Sequence, residues 1–236
     1  VFSQSAAYYD LIYAAVEKDY AGEAQRIHAL IETHSRSAGK TLLDVACGTG
    51  RHLERLRAYY EVEGLDLDPQ ILGAARRSLP DVTFHQGDMA DFDLGRQFDI
   101  ITCLFSSIGY VKSDARLRQT WANFARHLKS GGVAIVEPWF SPAVFHPGRV
   151  SATFVDQPEL KVARMCVPRV EDGISVLDFH YLAATPAGVE HLTERHELAL
   201  FTDEQYRGAL LAAGLDLWYD GEGLTGRGIY VGRKVR

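Results

Sequence analysis

Apolar residues along the chain fall into two alternating kinds of run. Thr41-Leu-Leu-Asp-Val45, Val62-Glu-Gly-Leu-Asp-Leu67, Val82-Thr-Phe-His-Gln-Gly-Asp-Met89, Phe98-Asp-Ile-Ile-Thr-Cys-Leu-Phe105 and Val133-Ala-Ile-Val-Glu137 are short and bounded by polar residues, as strands are. The fourth is nearly unbroken, which predicts a strand covered on both faces. Between them lie helical patterns. One spans Gly22 to Glu32 with Ile27, Leu30 and Ile31 on its apolar face, and another follows Pro69 with Ile71, Leu72 and Ala75. A third, capped by Ser113, places Leu117, Trp121, Phe124 and Leu128 at i, i+4, i+7 and i+11, with Gly131-Gly132 ending it. Alternating strands and helices predict a doubly wound, Rossmann-like α/β sheet.

The alternation breaks after residue 138. Runs at Leu160–Val167, Ile174–Ala183 and Val189–Leu200 are rich in β-branched and aromatic residues, with turn signals at Glu171-Asp-Gly and Pro186-Ala-Gly. They predict an antiparallel β insertion over residues 139–201, a cap on the domain formed by residues 1–138 and 202–236. Thr202 and Gln205 then form a capping box, and Leu215-Asp-Leu-Trp-Tyr and Gly228-Ile-Tyr-Val-Gly are the last strands, the final one antiparallel.

Composition narrows the class. The 236 residues, 47% hydrophobic and 24% charged, suffice for one core with a cap and argue against disorder. No apolar run approaches the ~20 residues of a membrane span, so no membrane partner is expected. Net charge is −6 with scattered basic residues, which excludes a non-specific nucleic-acid binder. Cys47, Cys103 and Cys166 are odd in number and far apart, fitting neither a disulfide framework nor a metal site, so a reducing, cytoplasmic protein is expected. The start, Val1-Phe-Ser-Gln-Ser, lacks an initiator Met and a signal-peptide pattern, so a few residues are expected upstream. Exposed edge strands in the cap leave a homodimer open.

Candidate chemistry gathers at Thr41-Leu-Leu-Asp-Val-Ala-Cys-Gly-Thr-Gly50, a strand running through Asp44 and Ala46 into a turn with Gly48 and Gly50. Ligands of open α/β sheets sit beyond the carboxyl ends of the strands. Asp44, Asp66 and Asp88 all fall there, beside the glycine turn. A carboxylate at Asp66 suits two ribose hydroxyls, and Asp88 with Met89 suits an adenine. The third glycine of a dinucleotide fingerprint is absent, because Arg51-His52-Leu53 follows Gly50. Asp44 suits a ligand carrying an ammonium, which points to S-adenosylmethionine. Asp-x-Ala-x-Gly-x-Gly with acids after the next two strands resembles the class I methyltransferases.

Phe105-Ser-Ser-Ile-Gly-Tyr110, Val136-Glu-Pro-Trp139 and Gly226-Arg-Gly-Ile-Tyr-Val-Gly232 carry a narrower resemblance. With Leu43–Gly50, Gly87-Asp-Met89 and Phe124-Ala-Arg-His-Leu128, the chain is similar nearly end to end to the dTDP-aminosugar N,N-dimethyltransferases of desosamine and mycaminose biosynthesis. The resemblance implies that Tyr9 and Tyr20 enclose the methionine end of the cofactor, that Asp66 and Leu67 hold the ribose, and that Asp88 and Met89 hold the adenine. It further implies that Ser107, Trp139, Arg164, His180 and Arg227 serve the nucleotide sugar, with Arg227 near its pyrophosphate. Separately from the resemblance, Phe105 and the N-terminal tyrosines are expected to face the sulfonium as a weak cation–π contribution. Three departures stand out. Tyr110 replaces a family His, Trp139-Phe-Ser-Pro142 replaces Trp-Trp-Phe-Pro, and Cys166-Val-Pro168 replaces Ser-His-Ser. A histidine base at position 110 is therefore out, and Tyr110 is the expected catalytic contact, orienting the amine.

The expected activity is N,N-dimethylation of a dTDP-linked amino-deoxysugar, with 3-amino the favoured position. The rivals are an O- or N-methyltransferase acting on another small metabolite, a cofactor-binding module without turnover, and a nicotinamide dehydrogenase.

Overall fold

The computed structural model describes residues 8–235. Its central sheet has seven strands: β1 (Thr41–Val45), β2 (Glu61–Asp66), β3 (Thr83–Gln86), β4 (Phe98–Cys103), β5 (Leu128–Val136), β11 (Leu215–Asp220) and β12 (Ile229–Lys234). Their spatial order is β11-β12-β5-β4-β1-β2-β3. The first five pair in parallel, whereas β12 runs antiparallel to both β5 and β11. The expected sheet with an antiparallel last strand is therefore present. β4 is buried along its whole length, as its unbroken apolar run required. Order reverses between β1 and β4, so the switch point lies directly beside the glycine turn.

Helices cover both faces. On one side α2 (Tyr20–His34), α3 (Arg51–Leu56) and α4 (Pro69–Ser78) supply Ile27, Leu30, Leu53 and Leu72 to a cluster with Leu42, Ile100 and Ile135. On the other, α5 (Asp114–His127) and α6 (Asp203–Ala212) bring Trp121, Phe124 and Leu210 onto Leu43, Ile101 and Val136. The caps are those the residue types dictate. Asp68 accepts from the amides of Gln70 and Ile71 ahead of Pro69, and Thr202 and Gln205 close their box.

Two boundaries differ from the expectation. α2 extends beyond Gly22–Glu32 at both ends, its start fixed by Asp19 accepting from the amide of Gly22. α5 stops at His127, and β5 runs through Gly131-Gly132 rather than beginning after them. The carbonyl of Gly131 accepts the amides of Arg36 and Ser37, and a Cβ at residue 131 would lie 2.8 Å from the Arg36 carbonyl carbon. The glycine admits that loop, so it serves close approach and not helix termination.

The insertion forms a second sheet, β10-β9-β7-β6, from β6 (Ser151–Gln157), β7 (Leu160–Cys166), β9 (Ile174–Thr185) and β10 (Gly188–Ala199), with β8 (Arg169–Glu171) pairing β9. It is antiparallel throughout, as expected, but it begins at Ser151; residues 139–150 hold no strand. Its inner face carries Val155, Val162, Tyr181 and Ala183, which pack around Ile12 of a short helix not anticipated from the sequence, α1 (Tyr9–Ala15). Its outer face leaves Phe154, Met165 and Leu182 exposed. No helix of the described residues is long and apolar enough to cross a membrane.

Candidate active site

The turn after β1 is built to leave space. Ala46 and Gly48 both take positive φ, and a Cβ at Gly48 would meet nothing within 4 Å. Gly50, at the N-cap of α3, is different: its Cβ would point at Leu79, 3.0 Å away, and at Phe84. Gly50 therefore serves the fold, while Gly48 opens onto a cavity. That cavity is lined by Tyr9, Ala46, Gly48, Asp66, Leu67, Asp88, Met89, Ser107 and Tyr110 among others, and a smaller one adjoining it adds Tyr20, Asp44 and Phe105. Of the residues expected at the cofactor, all but Gly50 meet here. Ser107, expected at the substrate, lines both of these spaces.

Each acid is held by its neighbours. Asp66 accepts the Gly48 amide at 2.9 Å on one oxygen and the Asp68 amide at 2.9 Å on the other, so its carboxylate is fixed with a lone pair to spare on each. Asp44, 2% exposed, accepts from the Thr102 hydroxyl at 2.7 Å, and burial pushes its carboxyl up to about 6, opposed by the nearby His52 and by that hydrogen bond. Asp88 accepts the Ala90 amide and is ion-paired with Arg116 at 2.6 Å. Arg116, unanticipated, lines the same cavity from the first turn of α5; the sequence holds no sign that this helix end reaches β3's exit.

The aromatic wall comes from α1. Tyr9 and Tyr13 meet edge-on at 4.7 Å, and Tyr13 meets Phe105 at 4.9 Å. Asp10 ties α1 to the turn through the Thr49 hydroxyl (2.8 Å) and Arg51 (3.1 Å). Phe105 and Ser106 both have positive φ, a costly conformation for such residues. It is held by the buried Glu137, which accepts the Phe105 amide at 2.7 Å, and by the Ser106 hydroxyl donating to the Pro138 carbonyl. Glu137 also accepts from Thr225 and from Arg227, the latter at 2.9 Å.

Arg227 and Tyr13 border a second, more open cavity, which shares Phe105 with the smaller of the first two and is further lined by Lys18 and Arg26 and by Asp19, Glu23 and Glu222. Arg164 reaches Tyr13 from β7, its guanidinium 5.5 Å from that ring and 4.9 Å from Phe179. The other two expected substrate residues lie elsewhere. Trp139 lines none of these spaces; its indole N–H donates to the Ser175 hydroxyl at 2.8 Å, joining the sheet end to β9. His180 stands on the exposed outer face of β9, stacked on His191, because strand parity sends Phe179 and Tyr181 inward and residue 180 outward. It is not brought to the site.

The sheet order, the switch-point turn and the three strand-end acids define a class I methyltransferase. Residues 42–132 match the family model described as a methyltransferase domain. Over 95% of its length the chain is 44% identical to a dTDP-3-amino-3,6-dideoxy-alpha-D-glucopyranose N,N-dimethyltransferase of Streptomyces fradiae, covering 88% of that protein. It is 41% identical, again over 95%, to a dTDP-4-amino-2,3,4,6-tetradeoxy-D-glucose N,N-dimethyltransferase of Saccharopolyspora spinosa, covering 90% of it. The crystal structure of Streptomyces venezuelae DesVI superposes with a TM-score of 0.92 at 42% identity, covering 98% of both chains. That of S-adenosylmethionine-bound CalS10, an amino pentose methyltransferase of Micromonospora echinaspora, gives 0.86 at 36% identity over 95% of each. The chain belongs to this family of S-adenosylmethionine-dependent sugar N,N-dimethyltransferases, and S-adenosylmethionine is its cofactor.

Proposed function

We propose that this enzyme transfers two methyl groups in succession to the amine of a dTDP-linked amino-deoxysugar, with the amine at C3, in the making of an antibiotic sugar. One observation carries the reading: Arg227 and Tyr13 border a second cavity that shares Phe105 with the smaller of the cofactor spaces, and the Arg164 guanidinium lies 5.5 Å from the Tyr13 ring. Two guanidinium forks suit the oxygens of a pyrophosphate. The S. fradiae relative, named for a 3-amino sugar, supports the position of the amine. An O- or N-methyltransferase of another small metabolite would have no use for the paired arginines.

The residues divide the work by chemistry. Asp66 accepts the ribose hydroxyls on its two spare lone pairs, with Leu67 against the sugar. Asp88 and Met89 meet the adenine, and Asp44, Ala46, Gly48, Tyr9 and Tyr20 enclose the methionine end. The open Gly48 and the doubly held Asp66 fit such a ligand. Once bound, S-adenosylmethionine supplies a methyl group on a sulfonium, to which Phe105 offers its ring. Arg164 and Arg227 anchor the nucleotide while Tyr110 holds the amine in line, so positioning accounts for much of the acceleration. Ser107, at the junction of the two cofactor spaces, lies where substrate and cofactor meet. The core of residues 1–138 and 202–236 binds the cofactor, and residues 139–201 act as the substrate cap.

Two further parts of the reading rest on simpler grounds. Three buried free thiols support a cytoplasmic location. The edge strands β6 and β10 support a homodimer, which sedimentation equilibrium returning only the 26.2 kDa species would remove. The activity is tested by incubating the enzyme with cofactor and the dTDP-3-amino sugar. Mass steps of one and then two methyl groups are expected. No step with any aminosugar, but turnover of a nucleotide-free metabolite, would overturn the reading.

A further inference from the structure

Behind Tyr110 lies a buried polar pair that the reading above does not use. Tyr110 sits on the 3-10 turn Ser107–Val111, and its ring lines the cofactor cavity. Its hydroxyl is 2.7 Å from Nδ1 of His196 on β10. His196 is 1% exposed, and its Nε2 faces the Glu194 carboxylate at 3.5 Å, itself on a side chain 6% exposed. Burying a carboxylate and an imidazole together in the cap is costly unless each satisfies the other.

The direction of the Tyr110–His196 hydrogen bond is set by the tautomer of the imidazole. In one tautomer the ring proton sits on Nε2, the nitrogen 3.5 Å from the Glu194 carboxylate. Nδ1 then carries the lone pair, and the Tyr110 O–H donates to it. The remaining lone pairs of the Tyr110 oxygen are free to accept an N–H from the cavity.

Resting on the proposed dimethylation, we propose that Tyr110, His196 and Glu194 form a relay that removes a proton from the sugar amine before each methyl transfer. A neutral amine that accepts a methyl becomes an ammonium, R–NH2(+)–CH3, and has no lone pair until it loses a proton. The second transfer therefore needs a proton acceptor whatever the state of the incoming substrate. The N–H bond breaks as its proton passes to the Tyr110 oxygen, while the phenol's own proton passes to Nδ1 of His196. Tyr110 remains a neutral phenol throughout, and the new imidazolium is balanced by the Glu194 carboxylate. One proton moves and no other bond changes. Between turnovers the imidazolium returns the proton by the same hydroxyl once the cavity is open to water. Tyr110 touches the substrate; His196 acts through it as a positioning residue and proton store.

The surroundings favour a neutral resting imidazole. Burial holds the His196 ring below its ordinary value, with the Glu194 contact opposing. Arg164 on β7 faces His196, while Tyr9 and Tyr13 on α1, Asp66 at the end of β2 and Tyr181 on β9 face Tyr110. Arg164 disfavours a second positive charge, which makes the proton easy to return.

The test has a turnover arm and a spectroscopic arm. His196→Asn keeps an acceptor oxygen near the Nδ1 position but cannot take a proton, and Tyr110→Phe removes the link. With the monomethylated dTDP-3-amino sugar as substrate, both variants should lose about 100-fold or more in single-turnover rate at pH 7, with cofactor affinity by calorimetry within about two-fold of wild type. Product should accumulate at the monomethyl stage, and the residual rate should rise about tenfold per pH unit toward the pKa of the amine. Unchanged rates and pH profiles in both variants would overturn the relay, showing that the proton leaves through water. Separately, nitrogen NMR of His196 should show the Nε2–H form, with Nδ1 shifting in Tyr110→Phe; an Nδ1–H ring would overturn the relay without any turnover. Absence of methylation by the wild-type enzyme would count against the proposed substrate, and the NMR result would then decide the relay alone.

Discussion

Asp44 is the residue whose chemistry is most exposed to pH. Burial raises its carboxyl to about 6, against an ordinary value of about 3.9. The sign of the consequence differs for folding and for binding. A raised folded-state value favours the protonated form, so its contribution to stability is full below the ordinary value and is lost as pH rises through about 6. The ammonium of the cofactor wants the carboxylate, so affinity should grow over the same interval. Calorimetric Kd for S-adenosylhomocysteine should weaken by up to about tenfold per pH unit below pH 6, and Asp44→Asn should flatten that slope. A wild-type slope that survives in Asp44→Asn would place the titrating group elsewhere. Asp44, Asp66 and Asp88 were legible in the sequence because each sits at a strand end, a local property. Arg116 and His196 were not. Each reaches its partner across 28 and 86 residues, through packing that no spacing encodes.

The glycine turn shows how an element divides labour between adjacent residues of one type. Gly48 and Gly50 both have positive φ, at 57° and 82°, so alanine at either costs about 1–2 kcal/mol in backbone strain. Their surroundings then separate them. A methyl at residue 48 enters the cavity, whereas one at residue 50 presses on Leu79 at 3.0 Å. Gly48→Ala should therefore lose about tenfold or more in cofactor affinity with a modest fall in Tm. Gly50→Ala should melt lower still, while its affinity at a temperature where it is folded stays within about two-fold of wild type. Calorimetry and thermal melts on both variants would separate them, and equal losses of affinity would refute the division. Pattern alone grouped the two glycines, since only the third dimension tells which side each faces. The same limit misplaced His180. With Tyr181, Leu182 and Ala183 all apolar, the alternation along β9 does not reveal which face is inward, and register decides it.

At the scale of the whole molecule, α1 joins the parts. Its Ile12 lies in the core of the insertion sheet, its Tyr9 lines the cofactor cavity, and its Asp10 holds Thr49 and Arg51 beside the glycine turn. A ligand that fills the cavity must therefore steady the cap as well as the core. At a concentration 100 times its Kd, S-adenosylhomocysteine stabilises the folded state by about 2.7 kcal/mol. For a chain of this length that corresponds to a rise in Tm of roughly 5–10 °C. Because α1 belongs to both units, the unfolding should remain one transition with and without ligand. The Asp10 contacts are partly exposed, its side chain 31% and that of Arg51 43%, so Asp10→Ala should cost the unliganded protein only about 0–1 kcal/mol. It should nevertheless shrink the ligand-induced shift, because α1 would no longer be tied to the turn that the ligand fills. Scanning calorimetry reads both quantities in one experiment. A ligand that sharpens a core transition while an independent cap transition stays in place would mean that α1 does not couple them, and the cap would then be positioned by its other contacts to the core, such as Trp139 with Ser175 and Tyr110 with His196.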